Sequence, residues 1–448
     1  MKKIVALLVL GLCGSHLFAQ SQESLDLEKA ILIGLEKNLQ VKIAVENVAL
    51  REGEQKITSG TLYLPTLDAT YARSYSTEDV TQRFVNDPEP RQIDNAKSRS
   101  ENFSVVGIYG FRPESFAIMK QLGQLAEISE LEAKIAVENT VAGISTAYYR
   151  LVLELQRYEV LKTTLDLSQA RLDIAQAQYE LGGAGKRDFL TAEVDYNSDL
   201  SLLLAQEQII QNSRVNLNEL MALEPDTQFM VQDTIVIEEN LILAELEENA
   251  FMDNKFLLVT QRRQNVAFLQ MRELQASRLP ALNLNANYIN NTSNSDAGFL
   301  IQNQRQGFNY GGNITVNLFS GFSLNRRIQN LKVQQNALGY EIDQFEIQLQ
   351  SDIHRAFNTY QNNKALLVIE QKNYAVAKES SEIALERFRL GISSYLEFRD
   401  AQLNLLTAQN RLITSLFNIK EQEIELMRLS GRIFFQNSFE DLNLPTGD

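Results

Sequence analysis

Tryptophan is absent from this 448-residue chain, cysteine occurs once, histidine twice and proline seven times. Each shortage excludes something. The one cysteine, Cys13, lies in an N-terminal segment of targeting type, so the mature chain is expected to have neither disulfides nor thiol chemistry. Outside that segment His354 is the only histidine, too few for a serine–histidine–acid relay and a poor start for a metal site. The prolines are Pro65, Pro88, Pro90, Pro113, Pro225, Pro280 and Pro445, which leaves 114–224 and 281–444 free of this helix breaker. Positive charge is also short, with 42 Lys+Arg against 57 Asp+Glu. No basic footprint exists for a phosphate backbone, so no nucleic-acid partner is expected. Beyond the N-terminal segment no run approaches the ~18 apolar residues of a membrane helix. A hydrophobic content of 44% excludes disordered and collagen-like classes.

What is present begins with export. Lys2 and Lys3 precede the apolar run Ile4–Leu12, and Leu17-Phe18-Ala19 supplies a small residue before Gln20. This reads as a secretory signal over 1–19, cleaved after Ala19. Leu12 before Cys13 is not the small residue that a lipoprotein signal requires. Losing Lys2 and Lys3 takes the formal charge from −15 to −17.

The chain then repeats itself. Leu64-Pro65-Thr66-Leu67 and Leu279-Pro280-Ala281-Leu282 are 215 residues apart, Phe103–Phe111 and Ile314–Phe322 are offset by 211, Tyr179–Gly182 and Phe388–Gly391 by 209, and Glu219–Met221 and Glu425–Met427 by 206. Four landmarks in one order at nearly one spacing predict two similar halves. Their expected bounds are 20–224 and 241–432, with a linker at 225–240 and a tail at 433–448.

Each half reads as helix, two strands, very long helix, tight turn, helix. Leu27, Ile31, Leu35, Leu39 and Ile43 recur at four-residue steps, predicting one helix from about Asp26 to Thr61 that stops before Pro65. Its counterpart is expected over 241–277. The long helices are expected at 114–181 and 323–390, each ~100 Å at ~1.5 Å per residue. Val141, Ile144, Tyr148, Leu151, Leu155 and Tyr158 alternate three- and four-residue steps, and Ile328, Leu331 and then, one heptad on, Leu338, Ile342, Phe345, Leu349 and Ile353 recur at steps of three or four. That is a coiled-coil seam, and helices so long predict an elongated molecule.

The strands indicate the environment. Leu67, Ala69 and Tyr71 alternate with Asp68 and Thr70; Leu282, Leu284, Ala286 and Tyr288 with Asn283, Asn285 and Asn287; Ile314, Val316 and Leu318 with Thr315 and Asn317. Phe103, Val105, Gly107 and Tyr109 supply the fourth apolar face. About nine residues each suits a tilted strand crossing a bilayer, one face in lipid and one in water. Aromatic rings bracket these segments, with Tyr63, Phe111, Phe319 and Phe322 at the helix end and Tyr71, Phe103, Tyr288 and Tyr310 at the other. The intervening polar segments, 73–101 and 289–309, are expected to be external loops. Four strands cannot close a barrel, and an open edge in lipid leaves backbone groups unsatisfied. The expected class is therefore α+β: long antiparallel coiled-coil helices with four barrel strands per chain, shared among copies.

In this plan the sequence resembles the TolC-type outer-membrane efflux proteins. The resemblance rests on Leu25-x-Leu27-x-x-Ala30 with Asn38, the Leu-Pro turns, Leu318-Phe319-x-Gly321, and above all Arg387-Phe388-x-x-Gly391-x-x-x-x-Leu396-x-x-x-Asp400-Ala401-Gln402. It covers nearly the whole mature chain, although the strand before Arg112-Pro113 departs from the family's Phe-x-Gly-Gly ending. It implies a homotrimer with a twelve-strand barrel in outer-membrane lipid and a periplasmic helical tunnel. The duct would serve efflux or type I secretion with a periplasmic adaptor (membrane fusion protein) and an inner-membrane transporter of RND, ABC or MFS type. The resemblance also puts Glu397 and Asp400 where the family carries a constriction ring of aspartates, with Asp188 at the equivalent turn of the first half. The turns at Gly182, Gly183 and Gly185 and at Gly391, Ser393 and Ser394 become the adaptor-contacting tips.

Other readings were open from the residues alone. Glu397 and Asp400 also suit an ordinary helix start, where acids favour the dipole. Leu181–Lys186 superficially resembles a phosphate loop but lacks the Gly-Lys-Ser/Thr ending and follows a helix, so it reads as a helix–helix turn. No enzymatic activity, cofactor or metal is expected. A trimeric coiled-coil adhesin or a periplasmic scaffold would share export and heptads, but an adhesin predicts one strand set, not two.

Overall fold

Proline, asparagine and glycine punctuate the helices of this protein, whose computed structural model describes residues 24–85, 87–183, 185–231, 234–237 and 240–433. The signal segment 1–19, its cleavage site, most of the 433–448 tail and parts of the 225–240 linker lie outside the described residues. In chain order the elements are α1 (Leu27–Lys37), α2 (Leu39–Tyr63), β1 (Thr66–Phe84), β2 (Asp87–Phe111), α3 (Ser115–Glu180), α4 (Lys186–Leu220), α5 (Leu243–Asp253), α6 (Lys255–Ala276), β3 (Ala281–Ser295), β4 (Gln302–Thr315), α7 (Ser323–Arg389) and α8 (Tyr395–Leu429). The order α-α-β-β-α-α occurs twice.

The chain divides into two compact units. One comprises residues through Asn38, Thr140–Leu241 and Ala356–Leu426; the other comprises Leu39–Asn139, Ile242–Arg355 and residues from Met427. The first unit is helical, with Ile144, Tyr148, Leu151, Leu217, Phe417 and Leu426 fully or almost fully buried. Burying each such aliphatic side chain contributes roughly 1.5–3 kcal/mol. Tyr148 keeps its hydroxyl satisfied by donating to the Leu25 carbonyl at 3.1 Å. The second unit holds the sheet, and a helix cluster of Ile128, Ile135, Val259 and Val266.

The seams behave as their spacing predicts. Val141, Ile144, Tyr148 and Leu151 of α3, and Ile328, Leu349 and Ile353 of α7, are buried, and the intervening seam residues are half-buried.

Two expected helices are each two. The run from Asp26 to Thr61 breaks at Asn38, and the run over 241–277 breaks at Asn254. The breaks are built alike. Asn38 Nδ2 donates to the Leu220 carbonyl at the end of α4 (2.9 Å), and Asn254 Nδ2 donates to the Leu429 carbonyl at the end of α8 (3.0 Å). Terminal helix carbonyls have no intrahelical donor, so an asparagine that leaves its own helix satisfies another's end. Asn254 also caps α6, accepting from Leu257 N–H at 3.1 Å.

The strands correct the expected loops. They run 19, 25, 15 and 14 residues, so 73–101 and 289–309 are largely strand. Residues 296–301 alone join β3 to β4, and β1 ends at Phe84 only three residues before β2 begins at Asp87. Backbone pairing does not need an apolar side, so Ser, Thr and Asn residues continue the ladder beyond the alternating segment. At the other end β4 stops at Thr315, and Val316 and Leu318 fall outside it. The sheet is antiparallel in the order β1-β2-β3-β4, which leaves β1 and β4 as edges.

Candidate functional site

Register sorts the sheet residues into two faces. Leu67 pairs with Gly107, Ala69 with Val105 and Tyr71 with Phe103; Val105 pairs in turn with Tyr288, and Tyr288 with Phe308. Side chains alternate along a strand. Leu67, Tyr71, Phe103, Phe111, Leu284, Tyr288, Phe308, Tyr310 and Ile314 therefore share one face. Eight of these, all but Tyr288, carry large exposed apolar surface, up to 81% for Tyr310. The opposite face carries Asp68, Thr70, Ser104, Asn283, Asn285, Asn287, Asn309 and Asn313, interrupted by Val106 and Ile108.

The expected aromatic residues fall as follows. Tyr71 and Phe103 oppose each other; Tyr288 lies two rungs from them and Tyr310, opposite Ala286, four. At the helix end, the Tyr63 and Phe111 rings each lie against Phe116 (centroids 6.4 and 6.2 Å), and Phe319 meets Phe322 edge-on at 5.2 Å. Phe116 and Phe308 escaped the sequence reading, the first as a helix start and the second as loop.

In the other unit, the two turns are alike. Gly182 and Gly391 have φ +74° and +69°, a left-handed conformation that glycine takes without a Cβ penalty. Gly183 N–H returns to the Gln178 carbonyl at 2.8 Å and Ile392 N–H to Arg387 at 2.9 Å, closing a Schellman motif on each long helix. A stacked ring pair spans each turn, Tyr179 on Phe189 (5.9 Å) and Phe388 on Phe398 (5.5 Å). The second pair is packed into a core with Ala384 and Ala401. Gly185 is the N-cap of α4, so the phosphate-loop-like segment leads from helix to turn to helix. Ser393 N–H reaches the Arg387 carbonyl at 3.3 Å. Ser394 Oγ accepts from Glu397 N–H at 3.3 Å, a side-chain cap on the first turn of α8.

Glu397 and Asp400 are exposed and line one cleft of about 500 Å³ between α7 and α8, with Glu379, Arg387 and Asn404. Arg387 Nη2 is 3.6 Å from the Glu397 carboxylate. Asp188, exposed in the first turn of α4, is not part of that cleft. Thus two of the three expected acids share a surface and the third does not.

Behind this acidic face lies a buried polar network that the sequence reading missed. Arg399 donates to both carboxylate oxygens of Asp199, at 2.8 and 3.0 Å, and lies 3.6 Å from Asp195. Arg171, its side chain wholly buried, reaches Asp195 at 3.2 Å and Gln402 Oε1 at 3.1 Å. Gln402 Nε2 donates to the Thr164 carbonyl and to Ser168 Oγ, Ser168 donates to Asp199, and Tyr395 donates to Asp195. The Arg171 guanidinium lies 4.8 Å from the Tyr395 ring centre. Burial pulls the Arg171 pKa down, and burial together with the bond to Asp195 pushes the Tyr395 phenol up, keeping it a neutral donor. Two cations and two anions balance, and three helices are braced. Removing one member of such a set typically costs about 3–5 kcal/mol, because its partner is left charged and buried. The only available signal was four ionic side chains at inward-facing helical positions.

His354 Nε2 lies 2.8 Å from Glu247 on a half-exposed side chain. Among the described residues no group of three or more His, Cys, Asp or Glu is placed to hold a metal ion, and no helix is long and apolar enough to cross a membrane.

Known proteins share this plan. A family model described as outer membrane efflux protein matches residues 248–432. The proteases secretion protein PrtF of Dickeya chrysanthemi is 21% identical, over 98% of this chain and 96% of its own length. The toluene efflux pump outer membrane protein TtgC of Pseudomonas putida is 22% identical, over 92% and 84%. Among solved structures, the Campylobacter jejuni CmeC outer membrane channel superposes with a TM-score of 0.77 at 15% identity, covering 92% of this chain and 86% of that one. The outer membrane protein VceC of Vibrio cholerae gives 0.72 at 17%, over 90% and 96%.

Proposed function

We propose that this chain is a channel of the TolC type, like the outer-membrane efflux proteins it matches, and that it is the exit duct of a tripartite efflux or type I secretion system. The observation that carries this reading is the sheet: one exposed apolar face, one amide- and hydroxyl-rich face, and two unpaired edges. In water that apolar face is a liability. In lipid it is required, provided that neighbouring copies satisfy the edges.

Three copies give twelve strands, the apolar face to lipid and the asparagine face to an aqueous lumen. The two repeats, 20–224 and 241–432, then alternate around a helical tunnel. The turns at Gly182–Gly185 and Gly391–Ser394 form its periplasmic tip and receive the adaptor, with an inner-membrane transporter of RND, ABC or MFS type supplying the energy. Conduction is passive and calls for no catalytic group. The adhesin and scaffold alternatives account less well for an apolar sheet drawn equally from both halves of the chain.

Glu397 and Asp400 form the gate in this reading. Three chains bring six carboxylates to one constriction, with the buried Arg171–Asp195–Asp199–Arg399 network holding the first turns of α8 in place behind them. Such a ring attracts cations, repels anions and is bridged by multivalent cations. Planar-bilayer recordings test it. The wild type should be cation-selective and blocked by multivalent cations; the Glu397→Ala/Asp400→Ala variant should conduct more, select less and lose the block. Identical selectivity and block in both would reduce the pair to helix-start acids facing water.

A further inference from the structure

Beyond Tyr71 and Phe103, the sheet face that carries the apolar belt turns cationic. Arg73 pairs with Glu101, Tyr75 with Arg99 and Thr77 with Lys97, in unbroken register with Tyr71 and Phe103. These residues therefore lie on the same face as Leu67, Ala69 and Tyr71. Arg73 Nε is 3.1 Å from Glu101 Oε1, and Arg99 Nε donates to that same oxygen at 2.9 Å. The Tyr75 ring lies beside both guanidiniums, its centre 5.2 Å from Arg73 Cζ and 5.9 Å from Arg99 Cζ. Two guanidiniums thus share one carboxylate, and Lys97 lies two residues beyond Arg99 on the same face. A single carboxylate cannot engage the ten N–H donors of two guanidiniums, and both arginines remain about half-exposed, at 40% and 46%.

We propose that Arg73, Lys97 and Arg99 form a headgroup site for a phosphate-bearing lipid at the external surface of the membrane. This rests on the reading that the sheet crosses the outer membrane. The geometry selects a lipid over a free anion. Arg73 is two residues past Tyr71, roughly 7 Å along the strand, so one occupant can lay its acyl chains on the apolar belt while its phosphate meets the guanidiniums. Arginine forks match phosphate bidentately, and Tyr75 limits their rotation. Glu101 competes for the same donors, which makes the site tunable at one position.

The test is native mass spectrometry of the assembled protein in detergent, titrated with bisphosphorylated lipid A, with its dephosphorylated counterpart, and with inorganic phosphate. Wild type should retain the bisphosphorylated lipid and lose at least about tenfold in affinity when the phosphates are absent, as expected for charge-assisted hydrogen bonds. Arg73→Gln/Arg99→Gln should lose a similar factor, while Glu101→Gln, which removes the competing anion, should bind more tightly than wild type. Equal binding of the two lipids, or no gain in Glu101→Gln, overturns the site; so does inorganic phosphate binding as tightly as the lipid. The Glu101→Gln arm decides by itself if the double variant does not assemble. Failure of the wild type to fractionate with outer membranes would instead remove the membrane-crossing reading, a separate result.

Discussion

Glu138 sits on α3 with its side chain 5% exposed, Lys255 Nζ 3.9 Å away and no hydrogen-bond donor on Oε1. Burial pushes its carboxyl up to about 7 from the usual 4.5, against the attraction of Lys255 and Arg428 and with added repulsion from Asp253. The folded protein therefore holds this proton more tightly than the unfolded chain. The resulting stabilisation is complete below about pH 4.5 and is lost as pH rises through 7, where a charged carboxylate must stay buried. We expect Glu138→Gln to be more stable than wild type at pH 8, by an order of about 3 kcal/mol at ~1.4 kcal/mol per pH unit, and the gap to close by pH 4.5. Thermal unfolding followed by circular dichroism at both pH values checks this. A variant less stable than wild type at pH 8 would mean that the Lys255 pairing outweighs the cost of burial. Arg171 is the contrasting case, its buried charge compensated by Asp195 and Gln402.

Among the elements, the two glycine turns carry the sharpest expectation. Nothing lies within 4 Å of a Cβ added at Gly182 or Gly391, so a substitution there meets only the left-handed backbone, a penalty of about 1–2 kcal/mol. Gly391→Val should therefore leave assembly normal while export and adaptor cross-linking fall. Full export and cross-linking in both Gly182→Val and Gly391→Val would show that these turns are not the docking tips. The turns were legible because a glycine closing a long apolar seam is a local signal, as were the stops before Pro65 and Pro280. The helix breaks were not. Leu35 and Leu39 keep their four-residue step straight through Asn38, and the reason for the break is the Leu220 carbonyl, 182 residues away. Strand length was hidden for a different cause: alternation reports burial, and beyond Tyr71 and Phe103 the ladder continues through residues with little apolar content. The polar network was invisible because Thr164, Asp195 and Gln402 sit on three different helices, so only the assembled fold brings them together.

For the molecule as a whole, the question is what completes the sheet. β1 and β4 each present a row of unpaired backbone groups beside a broad apolar face, and each such group exposed to hydrocarbon costs several kcal/mol. If three chains close a barrel, β1 of one protomer lies against β4 of its neighbour. Within one chain these strands are separated by β2 and β3, roughly 14 Å at ~4.8 Å per strand, beyond the reach of a disulfide. With Cys13 the only cysteine, in the expected signal segment, the background for cross-linking is clean. The measurement is therefore oxidation of outer membranes carrying Thr70→Cys paired in turn with Gly307→Cys or Asn309→Cys, all on the asparagine-rich face. The result expected is a non-reduced gel ladder of monomer, dimer and trimer that ends at trimer for at least one pairing and collapses on reduction. Monomer alone in every pairing would contradict closure of the sheet between copies, and with it the duct.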